Sequence, residues 1–180
     1  MAASLFPPLL SMKNLLFVAF FPLLLLTACG GGEVGVNQPL GSESFRYNMP
    51  SGNVQDLRFG KEVWFAYGAI AGTQNTPANG LAKTHIFEKG SSMHTVQVNI
   101  ALPKDGYFYE GWLLNPDNHE RISTGHVRSL FGDVRHNLDY KAETDLRAFI
   151  QMIITLEKDD GNPAPGIEVA TAQLKELKRD

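Results

Sequence analysis

The sequence predicts an all-β domain, an antiparallel β-sandwich of about seven to nine short strands. Three observations predict it. From Phe45 onwards, short apolar runs alternate with Gly, Pro and Asn turn signals. Val96, Val98, Ile100 and Leu102 alternate with Gln97, Asn99 and Ala101, a period of two with one apolar face. No long 3.6-residue period, which a helix would need, runs through that span.

The chain before the domain reads as an address. Leu15 to Leu26 are almost wholly apolar, about a dozen residues, with Lys13 just ahead and small Thr27 and Ala28 behind. A charged start, a short apolar run and a small-residue cleavage site make a secretory signal. A membrane-spanning helix needs ~20 apolar residues, so this run is short for one. Leu26-Thr27-Ala28-Cys29 has the form of a bacterial lipobox, which is cut before the cysteine and leaves that cysteine to carry lipid. Residues 1–28 are therefore expected to be a signal peptide and Cys29 the lipid attachment site. Met1 to Ser11 carry no charge, and Met12-Lys13-Asn14 is the more natural start, so translation is expected to begin at Met12. Residues 29–44, with Gly30-Gly31-Gly32, Pro39 and Gly41, are too poor in apolar surface to order themselves. They read as a tether reaching roughly 20 Å on average.

Within the domain, expected to cover 45–175, each element has a local reason. Val63 to Tyr67 is a strand rich in β-favouring aromatics. Gly72 to Gly80 is a loop, Ala82 to Glu88 a strand, and Lys89-Gly90 a turn. Pro103-Lys104-Asp105-Gly106 turns the chain because Pro presets φ and Gly accepts φ > 0. Tyr107 to Leu114 has bulk on both faces and is expected to be covered on both sides. Asn115 to Asn118 is a turn and Arg121 to Val127 a strand. Leu130 to Asp145 carries loop signals at Gly132-Asp133 and Lys141 to Thr144. Phe149 to Glu157 is a strand with Ile150, Met152, Ile154 and Leu156 on one face. Asp159-Asp160-Gly161 turns, Pro163 and Pro165 lie in a loop, and Ile167 to Leu174 is the last strand. Residues 176–180 read as a charged tail.

Removing 1–28 leaves 152 residues, enough for one domain with a sizeable core. The mature chain is mildly acidic and has no basic face, which argues against nucleic acid as a partner. Cys29 is the only cysteine, so there is no intrachain disulfide and the fold must stand on its core.

Part of the domain resembles a known family. Leu102-Pro103-Lys104-Asp105-Gly106, then Tyr109-Glu110-Gly111-Trp112-Leu113-Leu114-Asn115-Pro116, then Ile122-Ser123-Thr124-Gly125 resemble the extracytoplasmic C-terminal domain of the anti-sigma-K factor family. Ile153 to Pro163 is similar to that family's penultimate strand and loop. The resemblance spans roughly Ala82 to Leu174, around half the chain, and implies an extracytoplasmic sandwich. The family's transmembrane helix and cytoplasmic sigma-binding domain have no counterpart here, so no sigma-factor binding is implied. The family supplies no catalytic residues for this domain.

Candidate chemistry is sparse. His85, His94, His119, His126 and His136 make no metal-ligand spacing and are expected to be scattered surface histidines; the alternative is a two-histidine surface site in which His85 and His94, flanking the Lys89-Gly90 turn, face each other across a hairpin. Glu110 sits in the most apolar strand between Phe108 and Trp112, where a buried carboxylate needs a partner such as Arg121, Arg128 or His126. Ser91, Ser92, Ser123 and Ser129 have no nucleophile-elbow context. Asp159 to Asn162 lacks the spaced ligands of a calcium loop. No cofactor or metal is implied. Tyr109 and Trp112, with Glu110, are the binding or structural candidates, since Tyr and Trp are frequent at binding surfaces. The expected protein is thus a lipid-anchored extracytoplasmic binding or sensing module. Its partners would be the membrane, through lipid on Cys29, and an envelope protein or glycan. Gly30 after the cysteine favours an outer membrane where there is one. The alternatives are a carbohydrate-binding or adhesive module, and a hydrolase using Glu110 and a nearby histidine.

Overall fold

The computed structural model describes residues 45, 49, 52–73 and 75–178. The expected signal peptide, the Cys29 lipid site and the tether lie outside the described residues. The described chain forms ten strands: β1 (Gln55–Asp56), β2 (Gly60–Gly72), β3 (Ala78–Phe87), β4 (Ser92–Ile100), β5 (Tyr107–Leu114), β6 (Arg121–Ser129), β7 (Arg135–Ala142), β8 (Gln151–Lys158), β9 (Ile167–Gln173) and β10 (Lys175–Glu176). The all-β antiparallel expectation holds. The β5 bounds are those expected, and the turns at Lys89-Gly90 and Pro103–Gly106 lie where the sequence puts them.

The sandwich does not hold. Eight strands, β2 to β9, run in the order β2-β3-β4-β7-β6-β5-β8-β9, each antiparallel to its neighbours, and β9 returns to pair with β2. Ala71 opposite Thr171 and Gly72 opposite Ala170 close the circle. The result is a closed eight-stranded barrel, which removes the free edges a sandwich keeps. The physical reason for the miss is that period-two alternation separates inside from outside on each strand. It reads the same for two stacked sheets and for one rolled sheet. Closure depends on a pairing between strands about a hundred residues apart, which local pattern does not carry. Three bulges help the sheet curl: at Glu62/Trp64, at Gly111/Trp112 against Gly125, and at Ile154/Thr155. Gly125 takes φ 93°, the conformation such a bulge residue needs.

Two connections cross the barrel's ends. β4 to β5 spans three strand positions, as does β7 to β8, giving two overlapping Greek keys. Residues 143–150 cross one end and drop Leu146 and Phe149 into the core. Leu174 N donates to Ile150 O (2.7 Å) and Ser92 Oγ donates to Thr144 O, fixing that plug. Residues 101–106 cross the other end, where the closure is looser.

Inside, a band of small residues at mid-height faces larger ones, while Ile70 and Ile86 fill the same wall nearer its ends. β9, β2 and β3 contribute Ala170, Ala172, Ala66, Gly68 and Ala82, all small and buried. The strands opposite them in the circle contribute Leu138, Val127, Tyr109 and Leu113. An eight-stranded barrel is just wide enough for side chains to fill, and this pairing of small with large fills it. Outward positions on β4 and β7 are Thr95, Gln97, Asn99, Asn137, Asp139 and Lys141. That side of the barrel is mostly polar outside, with Met93 among those positions, whereas β2, β5 and β8 turn Phe65, Tyr67, Trp112 and Ile153 outward.

Several stretches differ from the sequence reading. Ala78, Asn79 and Gly80, inside the expected Gly72 to Gly80 loop, begin β3, where they pair with Ile100, Asn99 and Val98 of β4. β7 runs through the stretch read as loop-rich, with His136, Leu138, Tyr140 and Ala142 turned inward. Lys175, the last residue of the expected domain, and Glu176, the first of the expected tail, form β10 and pair with Tyr67 and Ala66.

Candidate functional site

The loosely covered end of the barrel holds a cleft of about 390 Å³ lined by Leu102, Pro103, Lys104, Tyr107, Tyr109, Leu156 and Ile167. Tyr109 and Leu156 are inward residues of β5 and β8, paired across the ladder, so the cleft opens into the barrel's mouth. Leu102 and Pro103 come from the crossover and form its roof. Tyr107 and Ile167 begin β5 and β9 and form its rim. The roof is held by backbone contacts. Tyr107 N donates to Lys104 O (3.0 Å), and Asp159 N donates to Gly106 O (2.9 Å), tying the crossover to the β8–β9 turn.

Tyr109 joins the mouth to the core. Its hydroxyl donates to Ala101 O (3.0 Å), and its ring meets His136 edge-on at 5.4 Å. Burial raises its pKa, so it stays a neutral donor. Burial lowers the pKa of His136, opposed by its Nδ1 bond to Val134 O and by Asp133. Most of the lining is apolar, and the Tyr109 hydroxyl is already committed. The site therefore suits an apolar group.

Trp112 lies elsewhere. Regular alternation along β5 leaves it on the outer face, buried, with Nε1 donating to Thr155 Oγ1 (2.8 Å). Thr155 passes its own proton to Glu157, which also accepts from Gly166 N (2.8 Å). The β8–β9 loop thus folds back over β8, with Pro165 and Gly166 beside Trp112. The expectation that β5 is covered on both sides has this as its basis.

Glu110 also points outward and is half-buried. Its carboxylate accepts from Ser123 Oγ on β6, in place of the arginine or histidine the sequence suggests. His126 is its cross-strand neighbour and stacks on Phe108 at 4.2 Å. Glu110, Trp112 and Tyr109 are thus not one constellation. Only Tyr109 reaches the cleft.

The two histidines of the β3–β4 hairpin do not face each other. Thr84 is opposite His94 and His85 is opposite Met93, a one-residue offset that sends them to opposite faces. His94 is inside with Thr84, and His85, His94 and His136 are all buried, against the expectation of surface histidines. His85 is outside, its Nδ1 donating to Glu62 Oε2 (2.6 Å) beneath the Phe65 ring at 4.8 Å. Both partners of that pair are buried, which suits pinning β2 to β3. Among the described residues no group of three or more His, Cys, Asp or Glu is placed to hold a metal ion. Asp160 and Asn162 cap their own turn, each accepting a backbone N–H two residues on.

The sequence reading did not single out Leu102, Leu156 and Ile167 as a site. Leu102 and Leu156 appeared there as members of apolar strand faces. The signal that finds them is position: apolar side chains at or beyond the last rungs of three strands at one end. Comparison with models of known protein families finds no match, and comparison with curated proteins finds no similar chain.

Proposed function

We propose that this chain is a lipid-anchored binding module of the bacterial cell envelope, held to a membrane through Cys29 on the extracytoplasmic side. Its barrel takes the apolar part of a ligand in the cleft between the 101–106 crossover and the β8–β9 end. The supporting observation is the contrast between the two ends. One mouth is stoppered by Leu146 and Phe149, whereas the other keeps an apolar cleft with its rim exposed. The lining favours an acyl chain or aliphatic side chain over a glycan, because few polar groups remain there to read hydroxyls.

Two measurements test this reading. Cys29→Ser is expected to abolish incorporation of labelled palmitate and release the chain from membranes. Titration of the mature chain with a fluorescent fatty acid is expected to saturate at one site, and Leu156→Lys to weaken it at least tenfold. Non-saturable uptake, or uptake indifferent to Leu156→Lys, rejects the cleft.

A further inference from the structure

The geometry points to the open end of the barrel as a membrane-contacting surface, whose loop tips rest in the bilayer that holds the lipid anchor. The inference rests on the anchor proposed above and adds the orientation of the domain and the source of its ligand.

Two independent features meet at this end. The first is where the tether arrives. Phe45 N donates to the side chain of Asn99 (3.0 Å), and Asn99 sits on the penultimate residue of β4, opposite Asn79 and Arg135. Cys29 lies sixteen residues before Phe45. A chain of that length spans at most ~55 Å when fully extended and roughly 20–24 Å on average. A lipid on Cys29 therefore limits the Asn99 end to within that reach of the bilayer, and the apolar rim supplies the orientation that the tether leaves free.

The second is exposed apolar surface. Of eight large apolar side chains exposed among the described residues, five belong to this end: Leu102 (40%), Tyr107 (43%), Leu130 (65%), Phe131 (61%) and Ile167 (72%). They come from the β4–β5 crossover, the start of β5, the β6–β7 tip and the start of β9. The ladder places all four segments at one end, since Ser129 pairs with His136, Asn99 with Arg135, and Tyr107 with Lys158. The tip is shaped to present its ring: Gly132 takes φ 67°, and the Arg135 guanidinium lies 4.2 Å over Phe131. Arg135 is itself held by Asp133 (2.5 Å). Apolar residues exposed as a group mark a contact surface, and Phe, Leu and Ile beside basic residues suit the headgroup–acyl boundary.

Charge decides the kind of contact. Lys104, Arg128, Arg135 and Lys158 at this end are matched by Asp105, Asp133, Asp159, Asp160 and Glu168. No excess of positive charge selects anionic lipid, so the contact is apolar and insensitive to salt. It also turns the cleft toward lipid, which identifies its ligand as an acyl chain from the bilayer.

The test uses the full lipidated chain in phosphatidylcholine vesicles carrying a nitroxide on the acyl chain. Phe131→Cys and Ile167→Cys report on the open end, and Leu57→Cys, on the turn before β2, reports on the other. Each is labelled with an environment-sensitive fluorophore; the native cysteine is occupied by lipid. At least twofold stronger quenching at 131 and 167 than at 57, unchanged by 0.5 M salt, is expected. As a second measurement on the unsubstituted chain, deuterium uptake at 130–132 and 102–106 is expected to fall at least twofold on vesicles. Equal quenching at all three sites, with unchanged uptake, overturns the surface while leaving the anchor. A chain that does not float with the vesicles overturns the anchor, and the surface with it.

Discussion

Thr84 Oγ1 lies 2.8 Å from His94 Nδ1 inside the barrel, while His94 Nε2 has no partner among the described residues. Full burial drives the His94 pKa down to about 3, and His136 is lowered in the same direction by burial. An unfolded histidine titrates near 6.5, so below that pH the unfolded state binds a proton that folded His94 refuses. The stability from a neutral His94 is complete above pH 6.5 and is lost progressively as pH falls towards 3. On the order of 2–3 kcal/mol should go between pH 7 and pH 4.5 from this residue. Urea midpoints across that range measure it. The Thr84→Val, His94→Leu pair leaves no orphaned hydroxyl and is expected to reduce the slope without loss at pH 7, leaving the part that comes from His136 and from His85, whose pKa burial lowers to about 4. An unaltered slope in the pair would place the acid sensitivity elsewhere.

The two crossovers are expected to respond differently to the same truncation. Leu146 is wholly buried in the stopper, whereas Leu102 is well exposed in the roof of the cleft. Leu146→Ala leaves a cavity at a sealed end and should cost about 2–5 kcal/mol. Leu102→Ala removes a side chain that water already reaches and should cost under ~1 kcal/mol. It should nevertheless weaken the fluorescent fatty acid, since Leu102 roofs the site. Denaturation and ligand titration on both variants separate these effects.

Gly68 sits at the barrel's seam. β9 and β10 pair with β2 only at Ala71–Gly72 and Ala66–Tyr67. Between these points Leu174 N turns away to Ile150 O, and a Cβ on Gly68 would stand 2.4 Å from Gln173 O. That oxygen is backbone and cannot swing aside. Gly68→Ala should therefore cost about 1–3 kcal/mol by overpacking, and faster exchange of the Leu177 amide, which bonds Phe65 O, should show the seam opening. Ala69→Ser, next door on the exposed face, should stay within ~0.5 kcal/mol.

What the sequence disclosed follows from the range of each signal. Val96, Val98 and Ile100 announce their strand because aliphatic side chains alternate with polar ones. β7 has the same period, but its inward residues are His136, Leu138, Tyr140 and Ala142, and only Leu138 is aliphatic. Its histidine and tyrosine read as polar until a neighbouring strand shows them turned inward. Tyr109 and Trp112 are three apart in β5, so period-two alternation alone sends them to opposite faces, whereas sequence proximity groups them as one site. A one-residue register offset did the same to His85 and His94. The cleft stayed hidden because it needs β5 to pair with β8 across the intervening β6 and β7, a long-range pairing that local pattern does not carry.

That division within β5 yields a last expectation. Trp112 hands its Nε1–H to Thr155, which serves the buried Glu157. Trp112→Phe removes that donor and should cost about 0.5–1.5 kcal/mol. Because the ring lies outside the barrel wall, fatty-acid affinity should not change. Glu110→Gln keeps an acceptor for Ser123 and should alter neither stability beyond ~0.5 kcal/mol nor affinity. Tyr109→Phe acts on the other face. It leaves Ala101 O without its donor, loosens the crossover, and should weaken the fatty acid several-fold for a cost of about 0.5–1.5 kcal/mol. Paired denaturation and titration of the three variants decide the matter. If Trp112→Phe or Glu110→Gln lowers affinity while Tyr109→Phe does not, the ligand sits on the outer wall of β5 and the mouth is not the site.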